Sequence, residues 1–333
     1  MQKILNRPDD FVDEMVEGLT LAHHDQLRAL PADRRVIVRV AAPAAGKVAI
    51  VTGGGSGHLP VFVGYVGEGL ADGCAVGNVF SSPSSSAMLN LIRAVDGGAG
   101  VLQLYGNYAG DGMNFDMAAE DAEADGIKVR VVRVADDVAS APRSAWRERR
   151  GVAGLFFAYK IAGARAAEGA SLDEVVATAH HAVERISSMG VALSPCTVPA
   201  AGRPTFSLPE GTMEIGMGIH GEPGVRRGPL ESADRIAREL VDAVAADQEL
   251  VPGTGVALLV NGLGATPREE LYILYRAVHR LLAEREVSVD RAYVGEYATA
   301  LEMAGASVSV LKLDADLTRL LDAPARSPFF IQP

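Results

Sequence analysis

The sequence has 333 residues, of which 48% are hydrophobic, and carries a formal net charge of −11 at pH 7. That length suffices for two domains of ordinary size. The negative charge argues against a nucleic-acid groove and against binding to an anionic membrane. No apolar run is long enough to span a membrane, and the N-terminus lacks a signal-peptide core. The two cysteines, Cys74 and Cys196, lack metal-ligand spacing. Composition therefore predicts a soluble, cytoplasmic, reduced protein without a metal.

The N-terminal part of the chain alternates between strand, loop and helix patterns. Asp9 or Asp10 could cap a first helix that runs to about Leu30, and Pro60 could open another. Further helices are predicted up to Val95 and over Phe115–Asp125. Strands are predicted at Val36–Val40, Lys47–Thr52, Cys74–Val79, Val101–Tyr105 and Lys128–Val134. Such alternation predicts a mainly parallel sheet covered by helices, with ligands at the carboxyl ends of its strands.

The second half begins after two predicted helices, Gly151–Glu168 and Ser171–Ser188, the latter opened by a Ser171–Glu174 capping box. A change to proline-interrupted pieces places a domain boundary near residue 185. Beyond it the pattern predicts the helices Leu230–Ala246 and Arg268–Glu286, and the strands Val256–Val260, Arg291–Val294 and Ser307–Leu313. The predicted fold is α/β, with two α/β domains (1–185 and 186–333), each a mainly parallel or mixed sheet covered by helices.

A glycine run, Gly53–Gly57, follows a predicted strand and could cradle a polar ligand on its backbone amides. It lacks the Lys and Ser/Thr of a nucleotide-binding loop, and three consecutive glycines break the dinucleotide fingerprint. The Gly46-Lys47 pair is followed by Val48, which cannot bind magnesium. We therefore expect a site for a small polar molecule, with Gly55, Ser56 and Gly57 as donors and His58 as a general base.

Two further glycine-bearing loops carry titratable side chains. Asp111 lies in the run Gly106–Gly112, where its carboxylate could accept from a hydroxyl, orient His58 or cap the next helix. His220 lies at the tip of the loop that follows a short strand in Met213–Gly224, where it could be a base, an acid, a nucleophile or a simple turn cap. The five other histidines fall on predicted helices and are expected to be surface or packing residues: His23, His24, His180, His181 and His279.

At these residues the chain resembles the substrate-binding K subunit of dihydroxyacetone kinase, the DhaK family. The resemblance runs from end to end, and its motifs are Gly53–His58, Asn107–Asp111, Ala192–Gly202, Gly218–Gly224, Asn261–Pro267 and Asp322–Pro324.

The resemblance implies a mechanism. In that family the histidine matching His220 adds to the ketone carbon of the substrate and gives a covalent hemiaminal. The residues matching His58 and Asp111 act as acid and base on the terminal hydroxyl, and those matching Gly55, Ser56 and Gly57 hold the substrate. Phosphate comes from a nucleotide-binding L subunit or domain, so no cofactor is expected in this chain, and ADP or ATP with magnesium is expected on a separate L partner. The resemblance also implies a role in glycerol metabolism, a homodimer, and a donor that is either ATP or the sugar phosphotransferase system.

Three positions depart from the family pattern: Leu59 stands where Glu is frequent, Gly106 where Lys is common, and Ala109 where Thr is usual. Loss of a lysine and a glutamate removes charge and adds room, so a four-carbon ketose such as erythrulose is an alternative substrate to dihydroxyacetone. Family paralogues that act as ketose-sensing coactivators lose the acid–base pair, and retention of His58 and Asp111 argues against that alternative. A stand-alone ATP-dependent sugar kinase is disfavoured by the missing nucleotide motif.

Overall fold

The computed structural model describes residues 2–333 and divides the chain into two compact units. The first unit contains the chain up to Val134 together with residues 155–182 and 316–333, and the second contains residues 135–154 and 183–315. This division differs from the single predicted boundary near residue 185, because backbone pairing joins segments distant in sequence. In the second unit Val138 N donates to Ser188 O at 3.0 Å, and in the first unit Arg326 N donates to Glu68 O at 2.9 Å.

The described residues form eight α-helices. They are α1 (Phe11–Ala22), α2 (Ser85–Val95), α3 (Ala109–Ala124), α4 (Leu155–Ala167), α5 (Leu172–Val183), α6 (Ala233–Asp247), α7 (Arg268–Ala283) and α8 (Ala315–Asp322). Within the described range, none is long and apolar enough to cross a membrane.

The strands fall into two six-stranded sheets and two short hairpins. They are β1 (Leu27–Leu30), β2 (Asp33–Arg39), β3 (Ala49–Ser56), β4 (Gly73–Val79), β5 (Val101–Gly106), β6 (Val129–Val134), β7 (Ile186–Ser194), β8 (Thr197–Val198), β9 (Arg203–Pro204), β10 (Thr212–Ile215), β11 (Arg226–Pro229), β12 (Gly255–Gly262), β13 (Ser288–Gly295), β14 (Ala304–Lys312), β15 (Ala325–Arg326) and β16 (Ile331–Gln332).

The sheet of the first unit has the order β1-β2-β4-β3-β5-β6. Strands β4, β3, β5 and β6 run parallel, and β1 and β2 are antiparallel additions at one edge. Buried side chains of α2 and α3, among them Met88 and Phe115, pack with those of β2, β3 and β5 in one apolar core. Helix α4 contacts β3 and β5, and nearly all of its residues are buried. This is the parallel, helix-covered arrangement that the alternating pattern predicts.

The sheet of the second unit has the order β11-β10-β7-β14-β12-β13 and is mostly antiparallel, with one parallel pair, β12 and β13. Helices α6 and α7 bury apolar side chains such as Leu240 and Val278 against it. The predicted fold class, two α/β parts with mixed or mainly parallel sheets covered by helices, is confirmed.

Several predicted boundaries are wrong for identifiable reasons. The first helix ends at Ala22 rather than Leu30, because residues 27–30 pair with β2 as strand β1. Pro60 opens no helix. The last residues of the predicted helix Ser171–Ser188 belong to β7, which pairs with β14. Residues 27–30 pair with the next strand and residues 186–188 with a distant one, and at both places strand pairing outweighs a local helical pattern. The capping box is confirmed, since Ser171 N donates to Glu174 Oε2 at 2.8 Å and Glu174 N donates to Ser171 Oγ at 3.4 Å.

Candidate functional site

The connections that follow β3 and β5 in the first unit lead to opposite sides of the sheet, which leaves a crevice between these two strands. From β3 the chain passes to β4 on one side, and from β5 it passes to β6 on the other. In open parallel sheets, ligands bind outside the carboxyl ends of strands at such a switch point. The predicted residues Gly55–His58 lie at the end of β3 and just beyond it, and Asp111 follows β5. Topology therefore brings these two predicted groups to one edge of the sheet.

The glycine run differs from its prediction as a loop, because Gly53, Gly54 and Gly55 lie inside β3, opposite Ala75, Val76 and Gly77 of β4. A Cβ on Gly54 would collide with the ring of Phe62. A Cβ on Gly55 would meet Ser81 N at 2.5 Å. Close packing alone therefore requires glycine at Gly54 and Gly55, whatever their role in binding a ligand. Gly57, with φ of 101°, makes the turn out of the strand.

Ser56 is buried, and its hydroxyl donates to Gly77 O at 2.7 Å. The single hydroxyl proton is thus used within the fold, so towards a ligand Ser56 Oγ serves as an acceptor. Gly55 and Gly57 are partly exposed. Substrate binding by these three residues stays a prediction.

His58 lies directly after this turn and is only 1% exposed. Its ring stacks on Phe80, with centroids 4.7 Å apart and planes 22° apart, and meets the edge of Phe62 at 6.3 Å. Two aromatic side chains therefore hold the imidazole in one orientation. A buried, oriented imidazole suits proton transfer better than a solvated one, because its position relative to a bound hydroxyl is fixed.

Asp111 is 7% exposed and lies in the first turn of α3. Tyr108, not Asp111, occupies the N-cap position of that helix. The capping alternative is therefore wrong, although the positive end of the helix still favours a carboxylate there. Burial raises the pKa of Tyr105 to about 12, and the negative charge of Asp111 adds to that rise while Arg133 opposes it. Asp111 thus lies close enough to Tyr105 for its charge to affect the pKa of the phenol.

His220 lies in the loop between β10 and β11 of the second unit, as the sequence predicts. A hydrogen bond from Val225 N to Ile215 O at 2.8 Å closes the loop, and one from Gly216 N to Gly190 O at 2.7 Å joins its start to β7. Its far end is held by Glu214, which accepts from Gly224 N at 2.7 Å. The side chain of His220 is 25% exposed, so the loop presents an accessible imidazole on a fixed backbone.

Glu222 is the functional residue to which the sequence analysis assigned no role. Its Oε1 lies 2.9 Å from His220 Nδ1, and its Oε2 accepts from His220 N at 3.0 Å. Burial raises the pKa of Glu222, but the hydrogen bond and charge of His220, together with Arg150, outweigh burial and lower that pKa to about 2. Because an ionised carboxylate only accepts hydrogen bonds, Nδ1 carries a proton, and in the neutral form of the ring the lone pair is then on Nε2. A carboxylate two residues after a histidine in a glycine loop was the available signal.

The remaining histidines agree with their prediction as surface or packing residues. His24, His180 and His279 are exposed, and His23 and His181 are half-buried. Among residues 2–333, no group of three or more His, Cys, Asp or Glu side chains could hold a metal ion. The second unit thus presents an accessible histidine that contacts a carboxylate, and the first unit holds a buried histidine and a buried carboxylate near the carboxyl edge of its sheet.

Comparisons with known proteins show the family to which the chain is related. A family model described as the Dak1 domain matches residues 17–329. Over 330 residues the chain is 44% identical to the dihydroxyacetone-binding subunit DhaK of PTS-dependent dihydroxyacetone kinase 2 from Listeria innocua, and the match covers 99% of both chains. It is 43% identical to L-erythrulose kinase of Pectobacterium atrosepticum, with 99% of this chain but only 56% of that enzyme covered.

Two solved structures share the fold over nearly the whole chain. The dihydroxyacetone kinase from C. freundii in complex with AMP-PNP and Mg2+ matches with a TM-score of 0.90 at 32% identity, covering 100% of this chain and 61% of that one. The dihydroxyacetone kinase operon co-activator Dha-DhaQ matches with a TM-score of 0.89 at 35% identity, covering 96% and 98%. A kinase and a co-activator therefore share this fold.

Proposed function

The chain belongs to the Dak1 domain family, and on that premise we propose that it is the substrate-binding subunit of a short-ketose kinase, a phosphotransferase. The observation that carries the proposal is the contact between His220 Nδ1 and Glu222 Oε1 at 2.9 Å. It places a proton on Nδ1, so that in the neutral imidazole the lone pair that attacks a ketone carbon is on Nε2.

In the proposed step, His220 Nε2 forms a bond to the carbonyl carbon, and the electron pair of the C=O bond moves to its oxygen. The oxygen takes up a proton from solvent water and becomes the hydroxyl of a hemiaminal. Positive charge appears on the ring as the bond forms, and the Nδ1 proton is then drawn towards Glu222. The ionised carboxylate therefore stabilises the imidazole ring more strongly in the adduct than before the ketone is bound, which favours formation of the adduct. A polyol such as glycerol has no carbonyl carbon and escapes capture.

In the same proposal, His58 and Asp111 serve the terminal hydroxyl of the captured ketose. His58 takes the hydroxyl proton as phosphate arrives, and Asp111 accepts a hydrogen bond that orients the reacting group. The phosphoryl group comes from a nucleotide-binding L subunit that carries ADP or ATP with magnesium. That subunit either uses ATP directly or receives its phosphoryl group from the phosphotransferase system. The Listeria relative, which matches end to end, is itself named a subunit of a PTS-dependent kinase. Homodimer formation, glycerol metabolism and cytoplasmic location stay predictions.

A four-carbon ketose is the second candidate substrate. The identities to the dihydroxyacetone-binding subunit and to L-erythrulose kinase differ by one percentage point, 44% against 43%. Leu59 lines a small cleft together with Gly55, Ser56 and Gly57. Leu59 removes the charge that the glutamate of the family pattern would bring to the glycine turn.

The ketose-sensing alternative is addressed by the acid–base pair rather than by the fold. Dha-DhaQ shares the architecture with a TM-score of 0.89. A sensor needs only the capturing histidine, whereas a kinase also needs groups that activate a hydroxyl. This chain keeps both His58 and Asp111 buried at the carboxyl edge of the sheet. We therefore favour the kinase subunit.

Phosphorylation of dihydroxyacetone and of erythrulose tests the proposal. The protein is mixed with an L subunit from a Dak1 relative and supplied either with magnesium ATP or with the phosphorylated phosphotransferase system. We expect ketose phosphate from wild type and no detectable product from His58→Asn or Asp111→Asn, although both variants still bind the ketose covalently. Covalent binding by wild type with no phosphate product under either donor would replace the kinase with the sensor.

A further inference from the structure

Arg150 lies beneath the His220 loop and contacts three separate groups. Its side chain is 15% exposed. Nε donates to Asp137 Oδ2 at 2.8 Å, Nη2 donates to Gly216 O at 3.3 Å, and Nη1 forms an ion pair with Glu222 Oε2 at 3.9 Å. One guanidinium thus joins a buried carboxylate, the start of the loop and the carboxylate that orients His220.

Asp137 is itself fixed on its own segment. It is 4% exposed, and its Oδ1 accepts from Ala139 N at 3.1 Å. Its backbone N donates to Arg150 O at 3.1 Å, while Ser140 Oγ bonds both Asp137 O and Arg150 N, at 2.7 and 3.0 Å. Arg150 therefore starts from a backbone tied directly to the residue that holds its side chain. Burial raises the pKa of Asp137 to about 6, with Arg150 opposing the rise, so the carboxylate is ionised at neutral pH.

The loop leaves no spare room around this guanidinium. A Cβ on Gly218 would meet Arg150 Nη1 at 2.6 Å and would collide with the carboxylate of Glu222. A Cβ on Gly216, where φ is +78°, would meet Ala139 Cβ at 2.6 Å. These glycines let the backbone pass close over Arg150, which explains why the loop needs glycine at these positions independently of any ligand.

We propose that Arg150, held by Asp137, is a positioning residue that fixes the carboxylate of Glu222 and thereby the orientation and tautomer of the His220 imidazole. This inference rests on the proposed function of His220 as the ketose anchor. It extends the Glu222–His220 pair into a chain of four groups by adding Asp137 and Arg150. Both added residues lie more than 65 residues before His220 in sequence.

The identity of Arg150 matters because three contacts in different directions need a planar fork of N–H donors. A lysine ammonium is a compact point charge on a flexible stem and cannot hold all three at once. The charge also matters, because Arg150⁺ pairs with Asp137⁻ at 2.7 Å and with Glu222⁻ at 3.9 Å. A neutral side chain at this position would leave the two carboxylates without the cation that joins them.

The test compares Arg150→Gln, Arg150→Lys and Asp137→Asn with wild type in two measurements. The first is the 15N NMR spectrum of the His220 ring without ketose, which reports which nitrogen carries the proton. The second is the equilibrium constant for hemiaminal formation, from the 13C signal of ketose labelled at its carbonyl carbon. We expect Arg150→Gln to mix the tautomers and to lower the adduct constant about tenfold or more. Arg150→Lys should recover part of both effects.

Turnover separates positioning from a general loss of structure. At saturating ketose, with the L subunit present, kcat should be nearly unchanged in Arg150→Lys while KM rises. Arg226→Gln is the matched control, since Arg226 pairs with Glu231 and Glu239 in the same unit, and it should leave tautomer and adduct constant at wild-type values.

An unaltered tautomer and adduct constant in folded Arg150→Gln would overturn the inference. If Arg150→Gln does not fold, the isosteric Asp137→Asn decides by the same two readings. The ring spectrum needs no ketose. Failure of wild type to form an adduct would therefore refute the proposed function, and the dependence of the ring on Arg150 would still be measured separately.

Discussion

Replacement of Glu222 by glutamine is the most informative single change in the His220 loop. Glutamine keeps the shape of the side chain but loses its charge. Its amide can present oxygen to Nδ1–H, which retains the tautomer, or nitrogen to a bare Nδ1, which places the proton on Nε2 and removes the nucleophile. The carboxylate allows only the first arrangement, since the pKa of Glu222 is lowered to about 2 and the group is ionised at neutral pH.

The size of the effect follows from the kind of hydrogen bond that is lost. A hydrogen bond to a charged group contributes about 1.5–3 kcal/mol, and a neutral one about 0.5–1.5 kcal/mol. The difference, about 1–2 kcal/mol, corresponds to a factor of about 5–30 in an equilibrium constant. We expect the hemiaminal of Glu222→Gln to be less stable than that of wild type by this factor, because the charge on the ring is greatest in the adduct.

Titration with 13C-labelled dihydroxyacetone, followed by NMR, measures the adduct constant directly. Glu284→Gln is a suitable control, because Glu284 is an exposed partner of Arg280 at 3.6 Å. An adduct constant in Glu222→Gln within twofold of wild type, with the control also unchanged, would refute the role of the carboxylate. Equal losses in both variants would point to net charge rather than to the contact with His220.

Two predictions concern stability. Gly54→Ala should lower the free energy of unfolding, measured in urea melts, by about 1–3 kcal/mol, because the added Cβ collides with Phe62. The control is Gly18→Ala in helix α1, where a Cβ meets nothing within 4 Å and the change should be neutral or stabilising. An unchanged free energy of unfolding in Gly54→Ala would contradict the packing argument. Burial lowers the pKa of Lys160 to about 8, below the ordinary lysine pKa of 10.5. Between these two pH values the unfolded chain binds more protons than the folded one, so stability should rise with pH across this window. Lys160→Met should flatten the rise of the free energy of unfolding with pH, whereas Lys128→Met, at an exposed position, should not. If the free energies of unfolding of wild type and Lys160→Met ran parallel over this pH range, the lowered pKa of Lys160 would be contradicted.

The alternating pattern of the first half predicted the parallel sheet correctly, because helices α2 and α3 follow strands β4 and β5 in the chain. The two failures at helix ends share one cause. Residues 27–30 and 186–188 carry no local mark that distinguishes a strand from a continuing helix. Their state is set by strand pairing, with the next strand β2 for the first segment and with the distant β14 for the second. The crossing of residues 135–154 into the second unit has the same origin.

The residues of the candidate site also fall into those that the sequence identifies and those that only the structure identifies. His58, Asp111 and His220 could be selected from the sequence because each is a reactive side chain in a glycine-bearing loop. Glu222 lay within the same motif but carried no visible role until its distance to Nδ1 was known. Arg150 could not be found at all, since an arginine in a polar segment is ordinarily a surface residue, and only the fold brings it under the loop.

Intact-protein mass spectrometry with dihydroxyacetone and with erythrulose, and with glycerol as a control, tests the central claim most directly. We predict a mass increment equal to one ketose on wild type, its absence in His220→Ala, and no increment with glycerol. The ketose with the larger bound fraction at equal concentration identifies the preferred substrate. An increment that persists in His220→Ala, or no increment on folded wild type with any short ketose, would contradict the assignment of His220 as the covalent anchor.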